Sequence, residues 1–514
     1  MLIAAAALRY YEIPPVPTWF YVFAWYPTLV ILDQVVVLLG GESLLARPPE
    51  LAAMLWWSAV IWFLFEALNF RLQNWYYVFL PASRADRWAG ITISLATVVP
   101  AVLLPERVLD RLGVWHDLRA RPIPLGPAQL RTAWLTGWAM LALVLAFPRY
   151  LYPLTWGAVW LVAEPLLYER DPERSLLGDV ARGAWGRIAR LMTAGLFAGA
   201  LWESFNAMAR GRWIYTVPFL EHTKIFEMPA AGFIGFPFFA LEVWSLYHLL
   251  APRTTRRTLV GSAAFVLLVL AGIDRWTLSS TAPRLADLPG VTNAVHDRLR
   301  TAGWDDVFQI AHTSTAELAY RANLSPGEAR AAREAARLVT LRGIGTAHAA
   351  TLIGSGIGTV EALAAADPDA VWRLVRGSPR PTPSEVRVWV RGAQTETGAA
   401  TGGAGSTPPR APPPNAAPQR PPATPAAGRT GPAPAPVREM AAAISSRSAG
   451  VSSSVAAPIQ PSTCAAVRAP TIAPVTPGHA SVQATATAET VAPCRRAIGA
   501  SASRSARFLP RAGG

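Results

Sequence analysis

Apolar stretches separated by short polar breaks run through the first half of the chain, near 17–39, 52–70, 88–104, 132–147, 150–168, 191–209, 228–250 and 258–276. A helix needs about 17–25 such residues to cross a bilayer. Trp and Tyr cluster at the ends of these windows, as they do where a span meets the headgroup region. So many windows of this length do not fit the core of one soluble domain, and residues 1–278 are expected to form a polytopic bundle of about eight spans. From about 284 to 393 the pattern is that of an ordinary soluble helical domain. Beyond about 397 the chain is Ala, Pro, Ser, Thr and Gly with almost no large apolar residues. Such a segment cannot bury enough surface to offset its ordering entropy, and 397–514 is expected to be disordered. The expected fold class is all-α: a membrane helix bundle, a small soluble domain and a tail.

The polar residues inside the apolar windows carry the next inference. Phe65-Glu66-Ala67-Leu68-Asn69 ends one window and Trp202-Glu203-Ser204-Phe205-Asn206 ends another. Each is followed by an aromatic pair, Trp75/Tyr77 and Trp213/Tyr215, and then by Pro81 or Pro218 at the same spacing from the Glu. Weaker correspondences extend this: Tyr26-Pro27 with Tyr152-Pro153, Asp33 with Glu164, and Gly90 with Gly232. The expectation is an internal repeat, about 17–147 and 150–276. Four helices per half makes the two repeats parallel, with a site between them.

A carboxylate in a membrane helix is costly and marks a functional site by default. Glu66 with Asn69, and Glu203 with Asn206, share a helix face at i, i+3; they are candidates for a substrate or ion site, together with Glu164 and Glu242. The competing reading is that these groups brace helix to helix by hydrogen bonds. The breaker-rich segment Phe226–Pro237 is expected to form a kinked entry into the seventh span, the alternative being a re-entrant or discontinuous helix start.

Charge and composition narrow the function classes. The net charge of +14 invites a nucleic-acid reading, but its location weakens that reading. The tail holds eleven Arg against two acidic residues, whereas 284–393 holds 13 Arg and 11 acidic residues. A single Lys beside 46 Arg reflects nucleotide bias rather than function. Both cysteines, Cys464 and Cys494, lie in the tail, so the folded parts have no disulfide framework and no Cys-rich metal site. No His-Glu-x-x-His, Gly-x-Ser-x-Gly, P-loop or Rossmann fingerprint occurs, so no cofactor and no metal is expected. Positive charge differs little between alternate loops and leans only slightly toward termini outside.

In the soluble segment, Leu341-Arg342-Gly343-Ile344-Gly345 is followed by Ala349, Leu352 and then Gly356-Ile357-Gly358-Thr359-Val360. An earlier copy reads Leu288-Pro289-Gly290-Val291, then Ala294, Leu299 and Gly303. Residues 284–393 resemble the tandem helix-hairpin-helix family on this pattern; the membrane half resembles no characterised family closely. In that family the glycine hairpin often grips the DNA backbone without reading sequence, and many tandem domains serve only as protein-interaction or packing modules. The resemblance implies that Gly343, Ile344 and Gly345, with Arg342 beside them, contact phosphate, while the first copy lacks the second Gly and is structural.

Two functions are therefore expected to compete. One is a multi-pass protein of the bacterial inner membrane whose carboxylate-bearing site between repeats handles a lipophilic or small substrate, by transport or intramembrane catalysis. The other is a membrane-anchored scaffold whose 284–393 domain binds a protein partner or non-specific DNA. The lipid bilayer is the surrounding partner in both.

Overall fold

The computed structural model describes residues 1–217, 224–375 and 381–402, with side chains to 398. The fold is all-α with a few short strands. After an N-terminal helix α1 (Leu2–Tyr10), the membrane half consists of α2 (Val16–Leu38), α3 (Pro48–Leu72), α4 (Arg84–Leu95), α5 (Val98–Arg111), α6 (Pro127–Ala146), the single turn α7 (Pro148–Leu151), α8 (Thr155–Arg170), α9 (Leu176–Arg182), α10 (Gly186–Met208), α11 (Gly235–Leu250) and α12 (Arg256–Gly272).

Among the described residues, five helical runs are long and apolar enough to cross a membrane: Val16–Leu38, Pro48–Leu72, Arg84–Arg111, Ala230–Arg253 and Arg256–Thr277. The other three expected windows lie on α6, α8 and α10, which do not reach that measure. α8 has only 16 residues, preceded by a 3-10 turn at Tyr152–Leu154 and kinked at Trp156. In α10 small and polar residues dilute the apolar run for a packing reason. A Cβ on Gly195 would lie 2.5 Å from the Phe236 carbonyl oxygen, and one on Gly199 would overlap the Phe236 ring. Two glycines one turn apart thus let α10 and α11 approach closely, the usual device for helix contact in lipid.

Hydrogen bonds between helix ends show that successive helices alternate in direction. At one end, Arg71 Nη2 reaches the Ala146 carbonyl, Arg210 N–H donates to the Pro17 carbonyl, and Arg87 grips Asp274 through two bonds of 2.7 and 2.8 Å. At the other, Arg190 Nε bonds Glu106 at 2.9 Å, and Arg170 reaches the Leu249 carbonyl. The expected kinked entry into the seventh span is a small hairpin, β3 (Lys224–Ile225) with β4 (Met228–Pro229), and a 3-10 turn, Ala230–Ile234, leading into α11.

The C-terminal domain contains α13 (Asn293–Thr301), α14 (Val307–His312), α15 (Thr315–Arg321), α16 (Pro326–Thr340), α17 (Gly345–Gly354), α18 (Val360–Ala364), α19 (Pro368–Leu374) and α20 (Pro383–Gly402). Side-chain caps start most of them, including Ser314, Thr359 and Asp367, and Ser325 forms a reciprocal box with Glu328. Its core includes Leu299, Trp304, Ile310, Leu338, Leu352 and Trp389. α20 runs to Gly402, past the end expected near 393; the rest of the segment expected to be disordered lies outside the described residues.

Candidate functional site

α3 ends where Gln73 turns left-handed, at φ 53°. Asn69 organises that turn: its Oδ1 accepts from the Asn74 and Trp75 amides, and its Nδ2 donates to the Trp75 carbonyl at 2.9 Å. The chain leaves as strand β1 (Trp75–Val78). At the end of α10, Asn206 does the same for Trp213, accepting from its amide and donating to its carbonyl, both at 3.0 Å, and the chain leaves as β2 (Arg212–Tyr215). β1 and β2 pair antiparallel, with Trp75 opposite Tyr215 and Tyr77 opposite Trp213.

Side chains alternate across this ribbon. Trp75, Tyr77, Trp213 and Tyr215 face the bundle; Tyr76, Val78 and Ile214 face the C-terminal domain and pack with Phe79, Val388 and Phe308. The bundle face closes one end of a narrow cavity of about 70 Å³, whose walls also include Trp62 and Phe239.

Each carboxyl lies behind this aromatic wall and is fully buried. Glu66 Oε1 accepts from Tyr77 OH at 2.6 Å, Trp62 Nε1 at 2.9 Å and Trp75 Nε1 at 3.2 Å. Glu203 Oε1 accepts from Tyr215 OH at 2.9 Å, while its Oε2 and the Trp213 Nε1 have no hydrogen-bond partner among the described residues. The sequence explains one part of this inequality, the Trp62 bond. Trp62 lies four residues before Glu66, on the same helix face; four before Glu203 stands Gly199, whose space the Phe236 ring fills.

The remaining expected site residues are placed elsewhere. Glu164 Oε1 accepts from Ser175 Oγ at 2.6 Å and the Leu177 amide at 3.0 Å, and its other oxygen accepts from Ser245. It therefore caps α9 and ties α8 to α11, much as Asp33 accepts from Ser43 Oγ and the Leu44 amide. Glu242 accepts from the Trp160 amide at 3.4 Å, beside the kink in α8. None of the four glutamates lines the aromatic cavity, Glu66 and Glu203 meeting it only through their tyrosine and tryptophan partners, and both asparagines are spent on strand backbone. Trp62 and Tyr21, which do line it, were not singled out from the sequence. The i, i+4 spacing of Trp62 to Glu66 was the available signal.

The hairpin expected to meet phosphate faces the protein instead. Gly343, Ile344 and Gly345 are buried, and Ile344 belongs to the domain core. A Cβ on Gly343 would overlap the Val78 side chain, and one on Gly345 would lie 2.6 Å from Ser280 Cβ. Arg342 makes two 2.9 Å bonds to the Glu227 carboxylate, and its carbonyl accepts from Tyr76 OH at 2.9 Å. These contacts leave no room for a phosphate at the hairpin. Glycines with positive φ (Gly343 +82°, Gly345 +69°) permit close approach of any backbone, and here the approach is intramolecular.

Glu385, at the start of α20, is buried in the same region, and burial pushes its pKa up to about 8. The folded domain therefore keeps a proton that the unfolded chain releases near 4.5. Its contribution is full below that value, declines as pH rises, and is gone above the folded pKa, at up to about 1.4 kcal/mol per pH unit. Glu385→Gln is expected to flatten the fall in thermal midpoint between about pH 5 and 8. An unchanged pH profile would show that the carboxyl ionises freely in the folded domain.

Residues 289–395 match the family described as Domain of unknown function (DUF4332), and the match coincides with the small C-terminal domain. No curated protein and no solved structure matches the chain. Among the described residues, no group of three or more His, Cys, Asp or Glu side chains is arranged to hold a metal ion.

Proposed function

We propose that this is a multi-pass protein of the bacterial inner membrane whose two four-helix repeats enclose a binding site for a lipophilic or small molecule. The observation that carries the reading is that Tyr77 and Tyr215, each bonded to the Glu of its own unit, wall one cavity. The like handling of Asn69 and Asn206, and of Asp33 and Glu164, supports a duplicated unit. Aromatic walls favour an apolar body. Each tyrosine hydroxyl donates to its Glu and keeps a lone pair free to accept, which favours an occupant bearing a hydroxyl or other donor. Glu203, with one oxygen unpartnered among the described residues, is the carboxyl available for proton exchange or for a further hydrogen bond. Both transport and intramembrane catalysis can use such a pair. The C-terminal domain, helix-hairpin-helix-like in its glycine pattern, is read as a cap over the ribbon rather than a DNA reader, because its hairpin is spent on Glu227, Val78 and Ser280.

Lipid and metabolite mass spectrometry of a deletion strain is the test. A lipophilic species is expected to accumulate or vanish, and the wild-type gene to restore it. The Tyr77→Phe/Tyr215→Phe variant, expressed at wild-type level in the membrane, is expected to fail. Full restoration by that variant would sink the shared-cavity reading. Full restoration by residues 284–514 alone would place the function in the C-terminal domain.

A further inference from the structure

We infer a second binding site, for a phosphate-bearing amphiphile, at the end of the bundle opposite the β1–β2 ribbon. A cavity of about 350 Å³ opens there between the start of α3, the end of α5 and the end of α11. Its position follows from chain direction: α3 enters it with Glu50 and ends, at Leu72, beside the ribbon.

Charge pairing around this cavity is uneven in a way that favours an anion. Of the two carboxylates in its wall, Glu106 is bonded by Arg190 at 2.9 Å and Glu50 by Arg47 at 2.7 Å. Both are thereby neutralised from outside the cavity, since neither arginine lines it. The two guanidinium groups in the wall are less engaged. Arg107 has one ion pair, to Glu50, at 3.7 Å, and Arg174 has one, to Asp171, at 3.5 Å. Neither side chain makes a hydrogen bond among the described residues. Each guanidinium carries five N–H donors in a planar fork suited to phosphate oxygens, so most of that capacity is unspent.

The rest of the wall fits the body of an amphiphile. Leu103 and Tyr247 come from the apolar faces of α5 and α11, and Trp244 is held by its Nε1 bond to the Arg174 carbonyl at 2.8 Å. That bond fixes the backbone from which Arg174 projects. Aromatic rings beside cations at the end of a span mark the depth of lipid headgroups. The site therefore takes a phosphate ester on Arg107 and Arg174, with an apolar chain along Leu103 and Tyr247. It is separate from the aromatic cavity and does not depend on that cavity's role.

The experiment uses the full chain in a neutral maltoside detergent, with thermal midpoint and native mass spectrometry as readouts. Three probes separate the parts of the ligand: dioleoyl phosphatidic acid, dioleoylglycerol with the same chains and no phosphate, and inorganic phosphate. Phosphatidic acid is expected to bind and raise the midpoint, and dioleoylglycerol to do neither. Protection by inorganic phosphate at the same concentration would identify a soluble phosphate ester as ligand; protection by phosphatidic acid alone would identify a lipid headgroup. Arg107→Gln/Arg174→Gln is expected to weaken phosphatidic acid binding at least tenfold, with Arg149→Gln, at the other end of the bundle, unchanged. Both arginines are partly exposed with long ion pairs, so the ligand-free midpoint of the double variant is expected to match wild type and verifies folding. Equal binding of dioleoylglycerol, no binding of phosphatidic acid or phosphate, or undiminished binding by the double variant would each overturn the assignment.

Discussion

Glu66→Ala is expected to lower the thermal midpoint of the solubilised protein several times more than Glu203→Ala, although the two residues occupy like positions. Removing Glu66 strands three donors: Tyr77 OH, Trp62 Nε1 and Trp75 Nε1. Each donor left without a partner in a dry environment costs about 1–3 kcal/mol. Among the described residues, removing Glu203 strands only Tyr215 OH and also deletes an oxygen that has no partner. The losses are thus expected to stand at about three donors to one, reduced somewhat because Trp62 and Trp75 are only half-buried. Tyr77→Phe and Tyr215→Phe give an independent check with smaller changes in volume, and these two are expected to differ little, since each removes one hydroxyl bond. Equal destabilisation by the two alanine substitutions would mean that the tryptophan bonds to Glu66 carry no stability. In functional terms the order reverses. Glu66 is satisfied by the protein itself, so Glu203→Gln is expected to impair any proton or ligand step more than its modest effect on stability would account for.

The sequence made the carboxyl, the asparagine and the aromatic pair legible as one spaced unit, because all lie within a dozen residues and helix geometry links them. It did not show that the aromatic pairs are strands, or that the strands pair with each other. A four-residue strand is too short for alternation to stand out from a helix end, and Trp75 meets Tyr215 across 140 residues of chain. Glu164 and Glu242 were conspicuous as acids in apolar runs, but their partners were not. Ser175, Ser245 and the Trp160 amide became partners only once α9, α11 and the kink in α8 were in place. The inequality between the two Glu positions was legible after all, in Trp62 against Gly199, but only to a reader who already knew that the i−4 residue mattered. The soluble domain shows the same division. Its glycine turn could be read from local conformational demand, whereas the Arg342 partner, Glu227, lies 115 residues away.

Gly343→Ala is expected to release the C-terminal domain from the membrane half, and Gly290→Ala is the control that isolates the cause. Both glycines have positive φ, +82° and +71°, so a methyl group imposes a similar backbone cost of about 1 kcal/mol at each. Their surroundings differ. At Gly290 the nearest atom to the new Cβ is Ile353 Cγ2 at 3.9 Å, an ordinary contact within the domain. At Gly343 the Cβ would collide with Val78, on the outer face of β1. Val78 is fully buried in the strand paired with β2 and has little freedom to retreat. The domain must move, and with it go the Arg342–Glu227 bonds and the Tyr76 bond to the Arg342 carbonyl. Among the described residues, Glu227 would then keep only Arg212, at 3.7 Å. Hydrogen exchange should report this directly: peptides covering 74–80 and 210–216 are expected to exchange faster in Gly343→Ala than in wild type or Gly290→Ala. Peptides from the domain core, such as 329–339, are expected to keep their protection in Gly343→Ala, because Leu338 and Val339 pack within the domain. Unchanged exchange across the ribbon would mean that the domain does not rest on it. Gly345→Asp probes the same surface from the Ser280 side: it is expected to accelerate the ribbon peptides too, through undocking and without any nucleic acid present.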